Sequence, residues 1–205
     1  RLQSGETALI LGAGGGIGHA AVQVAKRLGA TVIALAGGKE KLAALQYLGA
    51  DHVLDYRDGF RDQVKALTDD RGIDVAFDPV GGDAFDETMR CLAWGARIVV
   101  VGFTSGRRAV AKTNHLLIKG ASVTGVRAGE FGRRNPEASQ RNLKTLLGWA
   151  SAGDIRTHIS HRFPLEGAEE AFRAIAARKV KPVVMELGGK SPQIVLPDAD
   201  LELAV

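Results

Sequence analysis

The chain has 205 residues, 45% of them hydrophobic and 24% charged, which is enough to bury the core of one compact domain or slightly more. Its formal charge of +4 comes from lysines and arginines scattered among acids without interleaved aromatics, which argues against a nucleic-acid partner and suits a small anionic ligand better. The lone Cys91 excludes a disulfide framework, and without a long apolar run or a signal-peptide pattern we expect a soluble, cytoplasmic protein with no membrane partner.

Apolar, β-branched runs alternate with segments of helical period from Thr7 to Val126. The predicted strands are Thr7–Gly12, Thr31–Ala36, Asp51–Leu54, Ile73–Phe77, Ala96–Val101 and Ala121–Val126. The predicted helices are Gly16–Leu28, with Ile17, Ala21, Val24, Ala25 and Leu28 on one face, Lys39–Leu48, one striped by Phe60, Val64 and Leu67, and one with Phe85, Met89 and Leu92 on one face. Such short connections predict an α/β fold, a Rossmann-type doubly wound parallel sheet with helices on both faces.

The alternation changes after Val126. A polar, basic stretch, Arg127–Arg141, precedes a helix that ends at Gly153 and is striped by Leu143, Leu146, Leu147 and Ala150. Beyond it we predict a short strand or turn at His161–Gly167, a helix that carries Ala171, Phe172, Ile175 and Ala176, and a strand at Val180–Met185. These patterns divide the chain into a dinucleotide-binding domain at 1–153, a segment at 154–180 and a tail at 181–205.

A glycine-rich turn joins the first predicted strand to the first helix. Only one frame fits the dinucleotide fingerprint, Ala13-x-Gly15-x-x-Gly18, with alanine in the first place. Gly15 lets the backbone approach a pyrophosphate, Gly18 lets the helix pack close to the strand, and the helix N-terminus offers free N–H groups and a positive dipole. The turn predicts a dinucleotide site, and the alternative is that its glycines serve only to make a tight turn. The candidate cofactor-binding residues of this turn are Ala13, Gly15, Gly16, Ile17 and Gly18. Gly37, at the end of the second predicted strand, is a further candidate.

The end of the second predicted strand bears on which dinucleotide is bound. An acid there would hold the ribose 2′-hydroxyl of NAD, but the strand ends in Gly37 and Gly38, with no acid to repel a 2′-phosphate. Lys39 and Lys41 follow at once and could attract that phosphate. This favours NADPH over NADH. The alternative is that both lysines are solvated residues of the first helical turn.

Several segments together resemble the cofactor domain of the zinc-independent quinone oxidoreductases, in the medium-chain dehydrogenase/reductase superfamily. Besides the glycine turn they are Leu48–Tyr56, Asp78–Gly82, Val101–Gly106 and Pro164–Ala171, and the resemblance runs from about Leu2 to Val180. It implies that Lys41 and Tyr56 lie around the adenosine 2′-phosphate, so that Lys39 is the weaker candidate. It also implies that Val80, Gly102, Phe103 and Thr104 lie beside the nicotinamide, at the carboxyl edge of the sheet.

The resemblance further implies direct hydride transfer from NADPH to a small-molecule quinone or activated enone. The family uses no zinc and makes weak demands on acid–base residues, so we assign no metal ligand and no catalytic residue within the resembling part. Family members carry a substrate domain before the cofactor domain, and residues 154–180 would return to that domain, which is missing from this chain. Members commonly pair through the strand equivalent to Ala121–Val126, so a homodimer is expected.

The last 25 or so residues depart from this pattern and resemble an aldehyde dehydrogenase segment. Glu186–Pro192 is similar to the motif whose glutamate is the general base of that family. The family's nucleophilic cysteine would lie beyond Val205, so Glu186 would be catalytic only if this tail were functional. Three interpretations follow: an NADPH-dependent oxidoreductase of quinone reductase type, which we favour, a non-catalytic NADP(H)-binding module, and an aldehyde dehydrogenase fragment.

Overall fold

The computed structural model describes residues 2–159 and 161–176, which belong to two compact units, residues 1–158 and 159–205. The first unit contains one six-stranded sheet in the order β3-β2-β1-β4-β5-β6, in which every pair of neighbours is parallel. This confirms the predicted doubly wound parallel sheet. The predicted strand at Val180–Met185 and the tail at 181–205, including Glu186, lie outside the described residues.

The described elements alternate as the sequence predicts through β4. The strands are β1 (Thr7–Ile10), β2 (Thr31–Ala36), β3 (His52–Asp55), β4 (Ile73–Asp78), β5 (Leu92–Val100) and β6 (Ser122–Gly125). The helices of the first unit are α1 (Gly16–Arg27), α2 (Lys39–Tyr47), α3 (Arg61–Leu67), α4 (Gly82–Thr88), α5 (Thr113–Lys119), α6 (Ala128–Arg134) and α7 (Pro136–Ser151). In the second unit a 3-10 turn at Leu165–Gly167 leads into α8 (Ala168–Ala176), where a strand or turn and then a helix were expected.

Alternate side chains of the central strands enter two separate hydrophobic clusters. Leu9 of β1 packs in one cluster with Val64 of α3, with Phe60 just before that helix, and with Phe85 of α4. The neighbouring Ala8 and Ile10 pack in the other cluster, with side chains of α1 and α2 such as Val22 and Leu45. Because a strand presents successive residues to opposite faces, the two clusters lie on the two sides of the sheet. Helices therefore cover both faces, as predicted.

Two of the predicted helix faces differ from the structure. The buried side of α1 carries Gly18, Val22 and Ala25, whereas Ile17 is 64% exposed and Leu28 is 40% exposed. The prediction of one apolar face from Ile17 to Leu28 is therefore wrong, because Gly18 must face the turn and this rotates the helix. Leu92, predicted on a helix face, instead begins β5, and Cys91 lies buried in the bend before it.

The helices α5 and α6 were not predicted. Both have seven residues and no buried side chain, so neither has the apolar stripe on which helix prediction depends. The helix α7 begins at Pro136, inside the polar, basic stretch Arg127–Arg141 that the prediction places before the helix. Its predicted stripe is largely exposed, with Leu143 at 57% and Leu147 at 58%. The strand β6 lies at an edge of the sheet, and pairing of two copies through it stays a prediction.

The strand order fixes where a cleft opens. From β1 the chain proceeds outward to β2 and β3, and then returns to place β4 on the other side of β1. The connections after β1 and β4 therefore lead away to opposite sides, and in open parallel sheets this switch point is where ligands bind. The glycine turn follows β1, and the segment Pro79–Gly81 follows β4. No helix in the described part of the chain is long and apolar enough to span a bilayer.

Candidate functional site

The glycine turn is held tightly against the sheet on one side and is open on the other. The N–H of Leu11 donates to Phe77 O at 3.0 Å, and the N–H of Ala13 donates to Leu35 O at 2.9 Å, so the turn is bonded to β4 and β2. Ala13 is completely buried. Ala13 therefore packs inside the fold, and its side chain does not border the open side of the turn.

The glycines of this turn differ in what surrounds them. A Cβ on Gly18 would lie 2.4 Å from Gly12 O and 2.5 Å from Ala13 Cα, so only glycine allows α1 to approach the turn this closely. A Cβ on Gly15 would meet only Gly12 O, at 3.6 Å, and one on Gly16 would meet nothing within 4 Å. Open space therefore lies above Gly15 and Gly16, as a bound phosphate would require.

The N-terminus of α1 faces this open space without a cap. Gly15 occupies the N-cap position and has no side chain that could accept from the first-turn amides. The early N–H groups of a helix have no partner inside the helix, and the helix dipole makes this end positive. Gly16, Ile17 and Gly18 supply the first of these groups, and the exposed side chain of Ile17 borders them. The residues present fit a pyrophosphate.

A second group of predicted residues meets where β2 and β3 end, at a site we call the β2–β3 corner (Gly37, Gly38, Lys41, Asp55, Tyr56 and Arg57). A Cβ on Gly37 would lie 3.0 Å from the Tyr56 ring, so these two residues are in contact. A Cβ on Gly14 would lie 2.7 Å from Cδ of Lys41, so the lysine stem crosses the glycine turn. The structure thus brings Lys41 to the turn and Tyr56 to Gly37. Lys39, two residues before Lys41, is exposed.

Sequence reasoning missed Asp55, the last residue of β3. One carboxylate oxygen of Asp55 accepts from the N–H of Gly38 at 3.1 Å, so the neighbouring strand brings an acid to a corner where β2 itself supplies none. Arg57 donates to the same carboxylate from Nε at 2.8 Å, from Nη2 and from its backbone N–H. The Arg57 guanidinium holds the pKa of Asp55 well below its usual range. The parallel pairing of Ala36 with Asp55 is what could have revealed this proximity.

The predicted residues after β4 and β5 also meet, in two segments we call the β4–β5 loops (Asp78–Gly81 and Val101–Gly106). Backbone hydrogen bonds of 2.9–3.0 Å join them, from Val101 N–H to Asp78 O, from Thr104 N–H to Pro79 O and from Ser105 N–H to Val80 O. A Cβ on Gly102 would lie 3.3 Å from Pro79 O, and one on Gly81 would lie 3.3 Å from the Phe103 ring. The Val80 side chain borders Gly12, because a Cβ there would lie 3.2 Å from it.

Asp78 holds the first of these loops from beneath. Its Oδ1 accepts from the N–H groups of Val80 at 2.7 Å and Gly81 at 2.8 Å, while the residue is only 1% exposed. The other oxygen, Oδ2, is buried without a hydrogen-bond partner among the described residues. Burial raises the pKa of Asp78, and the two hydrogen bonds from backbone N–H groups oppose that shift. Asp78 is a second residue that the sequence analysis did not single out.

Histidine rings border the glycine turn on the α1 side. His19 lies one position after Gly18, and its ring meets that of His158 edge to face, with centroids 5.2 Å apart. Burial, reinforced by His158 and Lys41, lowers the pKa of His19. The uncharged form of His19 therefore prevails at neutral pH. Within residues 2–159 and 161–176, no three His, Cys, Asp or Glu side chains form a group that could hold a metal ion.

An open cavity of about 480 Å³ lies elsewhere, between α3 and α4. Its lining is charged and includes Asp62, Asp86 and Arg90. The Glu87 carboxylate in this lining accepts from the N–H groups of Phe60 at 2.6 Å and Arg61 at 2.8 Å, and so serves to connect α4 to the start of α3. Because this cavity contains none of the predicted cofactor-binding residues and Glu87 serves the fold, we place the candidate site at the switch point.

Comparisons with known proteins identify the family of the chain. Residues 16–147 match the family of zinc-binding dehydrogenases, and residues 167–205 match, weakly, the aldehyde dehydrogenase family. A quinone oxidoreductase-like protein 2 homolog from Nematostella vectensis is 38% identical over 181 residues, which cover 87% of this chain and 49% of that protein. The chain spans about half the length of the curated quinone oxidoreductase-like relatives.

Solved structures give the same result. A probable oxidoreductase from Mycobacterium abscessus superposes with a TM-score of 0.74 at 36% identity, over 87% of this chain and 53% of that one. A quinone oxidoreductase from Pseudomonas syringae superposes with a TM-score of 0.76 at 28% identity, over 87% of this chain and 55% of that one. The chain therefore belongs to the zinc-binding dehydrogenase family of oxidoreductases, and it corresponds to the cofactor domain of the quinone oxidoreductase-like members.

Proposed function

We propose that this chain binds NADPH across the carboxyl edge of its sheet, and that the protein to which it belongs transfers hydride from NADPH to a quinone or an activated enone. The observation that carries the proposal is the uncapped N-terminus of α1, which opens at the switch point above Gly15 and Gly16 with Lys41 beside it. The match to quinone oxidoreductase-like relatives supports the substrate class.

Each part of the site would bind one part of the cofactor. The amides of Gly16, Ile17 and Gly18 would hold the pyrophosphate at the positive end of α1. Lys41 and Tyr56 would bind the adenosine 2′-phosphate at the β2–β3 corner. At the other end, Val80, Gly102, Phe103 and Thr104 would border the nicotinamide from the β4–β5 loops.

The nicotinamide supplies the hydride when it is bound, and this chain supplies position and shelter. The Val80 side chain, next to Gly12, would limit how deeply the ring enters the cleft. Phe103, which is 47% exposed, is available to exclude water from one side of the ring. The walls that select the acceptor would come from a substrate domain.

Titration of the purified chain with NADPH and NADH, followed by cofactor fluorescence and calorimetry, tests the proposal. We expect NADPH to bind at least about tenfold more tightly, as a charge-assisted contact to the 2′-phosphate would give. A preference of that size for NADH would refute the assignment of NADPH.

The variant Gly15→Val tests the pyrophosphate site. Its backbone has φ −100°, which any residue adopts, and its Cβ has room, so the fold should persist. The added methyl groups would occupy the phosphate position, so affinity for both dinucleotides should be lost. Gly148→Val, in open space on α7, is the matched control and should bind normally. Retained affinity in Gly15→Val would remove the turn from the site.

The same preparation separates the reductase from a binding module. NADPH and an ortho-quinone are mixed with the chain, and absorbance of the reduced nicotinamide is followed against an enzyme-free control. Oxidation above the control rate supports hydride transfer by this chain. Binding without oxidation supports the alternative of a non-catalytic NADP(H) module that needs walls from elsewhere.

A further inference from the structure

The β2–β3 corner contains an acid that the proposed function leaves unexplained. Asp55 extends from the end of β3 to the Gly38 amide, at the end of β2. A carboxylate near this end of β2 is the group that normally accepts a hydrogen bond from the ribose 2′-hydroxyl and repels a 2′-phosphate. The corner thus combines Lys41, which favours the phosphate, with an acid that opposes it.

Arg57 engages that acid almost completely. Oδ1 of Asp55 accepts from Nε of Arg57 at 2.8 Å and from the Arg57 N–H at 3.1 Å. Oδ2 accepts from Nη2 of Arg57 and from the Gly38 N–H at 3.1 Å. Both oxygens therefore have two donors each, which leaves little capacity for a ribose hydroxyl.

Only part of the Arg57 guanidinium takes part in this contact. Its side chain is 61% exposed, whereas that of Asp55 is only 17% exposed. A guanidinium has five N–H donors, and the pairing with Asp55 uses one edge of the planar group. The remaining donors are directed away from the carboxylate and are available to an anion that enters the corner.

We infer that Arg57 masks Asp55 and thereby sets the preference of the corner for a 2′-phosphorylated nucleotide. This rests on the proposed function, because it assigns the β2–β3 corner to the adenosine end of the cofactor. With Arg57 in place, the charge of Asp55 is neutralised and the exposed guanidinium faces the 2′-phosphate. Without Arg57, the carboxylate keeps only its bond from Gly38, so it repels the phosphate and accepts from a 2′-hydroxyl instead.

Two small ligands isolate the effect, because adenosine 2′,5′-bisphosphate and 5′-AMP differ only in the 2′-phosphate. Calorimetry on the full chain should show that Arg57→Ala weakens the bisphosphate by about tenfold or more, while 5′-AMP keeps or gains affinity. Asp55→Asn, which can still accept from Gly38, should change the bisphosphate little. In the double variant, removal of the acid should recover at least about threefold of the loss.

Controls separate this from a change in folding. Arg61→Ala removes an arginine that is also paired with a neighbouring acid, Asp62, but on α3, and it should leave both affinities unchanged. Thermal melts of every variant verify the fold, and Arg57→Gln, which keeps a polar stem without the charge, should repeat the result of Arg57→Ala.

The outcomes distinguish the two claims. If the unaltered chain binds both ligands equally, the NADPH proposal fails and the masking inference fails with it. If the unaltered chain prefers the bisphosphate but Arg57→Ala keeps that preference, or if the double variant recovers nothing, the masking inference alone is overturned.

Discussion

The two sides of the glycine turn are built in different ways. At the β2–β3 corner, charged side chains meet: the stem of Lys41 crosses Gly14, and Arg57 pairs with Asp55. At the β4–β5 loops, main-chain hydrogen bonds connect one loop to the other and Asp78 supports them from below. Side chains on a surface can change without disturbing the backbone, so in the proposed function the first side would set which dinucleotide is preferred. The second side is part of the fold, and in the same proposal it would position the nicotinamide ring that both dinucleotides share.

The turn that both sides share should be the most sensitive position. In Gly18→Val the new Cβ would lie within 2.4–2.7 Å of main-chain atoms of Gly12 and Ala13, which cannot move aside cheaply. We expect a loss of several kcal/mol in the free energy of unfolding, measured in urea. Gly16→Ala, whose Cβ meets nothing within 4 Å, should keep the stability of the unaltered chain. Equal stability of both variants would contradict the close packing of α1.

Asp78→Ala tests the β4–β5 loops. It leaves the partly buried N–H of Val80 and the buried N–H of Gly81 without their acceptor, at a cost of up to about 1–3 kcal/mol in unfolding free energy for each unsatisfied group. NADPH and NADH should weaken together, while adenosine 2′,5′-bisphosphate, which has no nicotinamide, should bind as before. Asp62→Ala, at an exposed acid of α3, is the control. Weakening of the bisphosphate would mean that the two sides are not independent.

Lys41→Ala tests the β2–β3 corner. It should weaken NADPH by about 1–3 kcal/mol and spare NADH, the scale of a lost charge-assisted hydrogen bond. Lys39→Ala, two residues away at the start of α2, should leave both affinities unchanged. The measurement is the ratio of the two dissociation constants. Equal losses for both cofactors would show that Lys41 does not contact the 2′-phosphate.

His19 gives the smallest expected effect, a dependence of stability on pH. The folded chain holds the pKa of His19 below 6.5, so the unfolded chain binds the proton more readily. Stability should therefore fall as the pH is lowered through 6.5 toward the folded pKa. Histidine titrates between roughly pH 7.5 and pH 5. Over that range the free energy of unfolding, measured in urea, should fall more in the unaltered chain than in His19→Gln. A parallel loss in both would contradict the shift.

The sequence predicts all six strands of the sheet, but it predicts helices only where an apolar stripe marks them. Strands β1, β2 and β4 are recognisable because both faces are covered and the strands are almost continuously apolar. The helices α5 and α6 have no buried side chains, so no periodicity marks them. At the site, residues local to one turn were predictable, whereas Asp55 and Asp78 act through contacts that depend on strand pairing and burial.

One consequence concerns where this domain can be cut. The Gln23 side chain of α1 accepts from the Arg156 N–H at 2.7 Å and donates to the Arg156 carbonyl at 3.0 Å, so it pairs with the main chain as a neighbouring strand would. Arg27 of the same helix pairs with Asp154. A truncation at Gly153 would remove these contacts from α1 and expose Gln23, which is now only 9% exposed. A stable excised version should retain the chain through His158, and a fluorophore attached just after it would sit close enough to His19 to report on the first turn of α1.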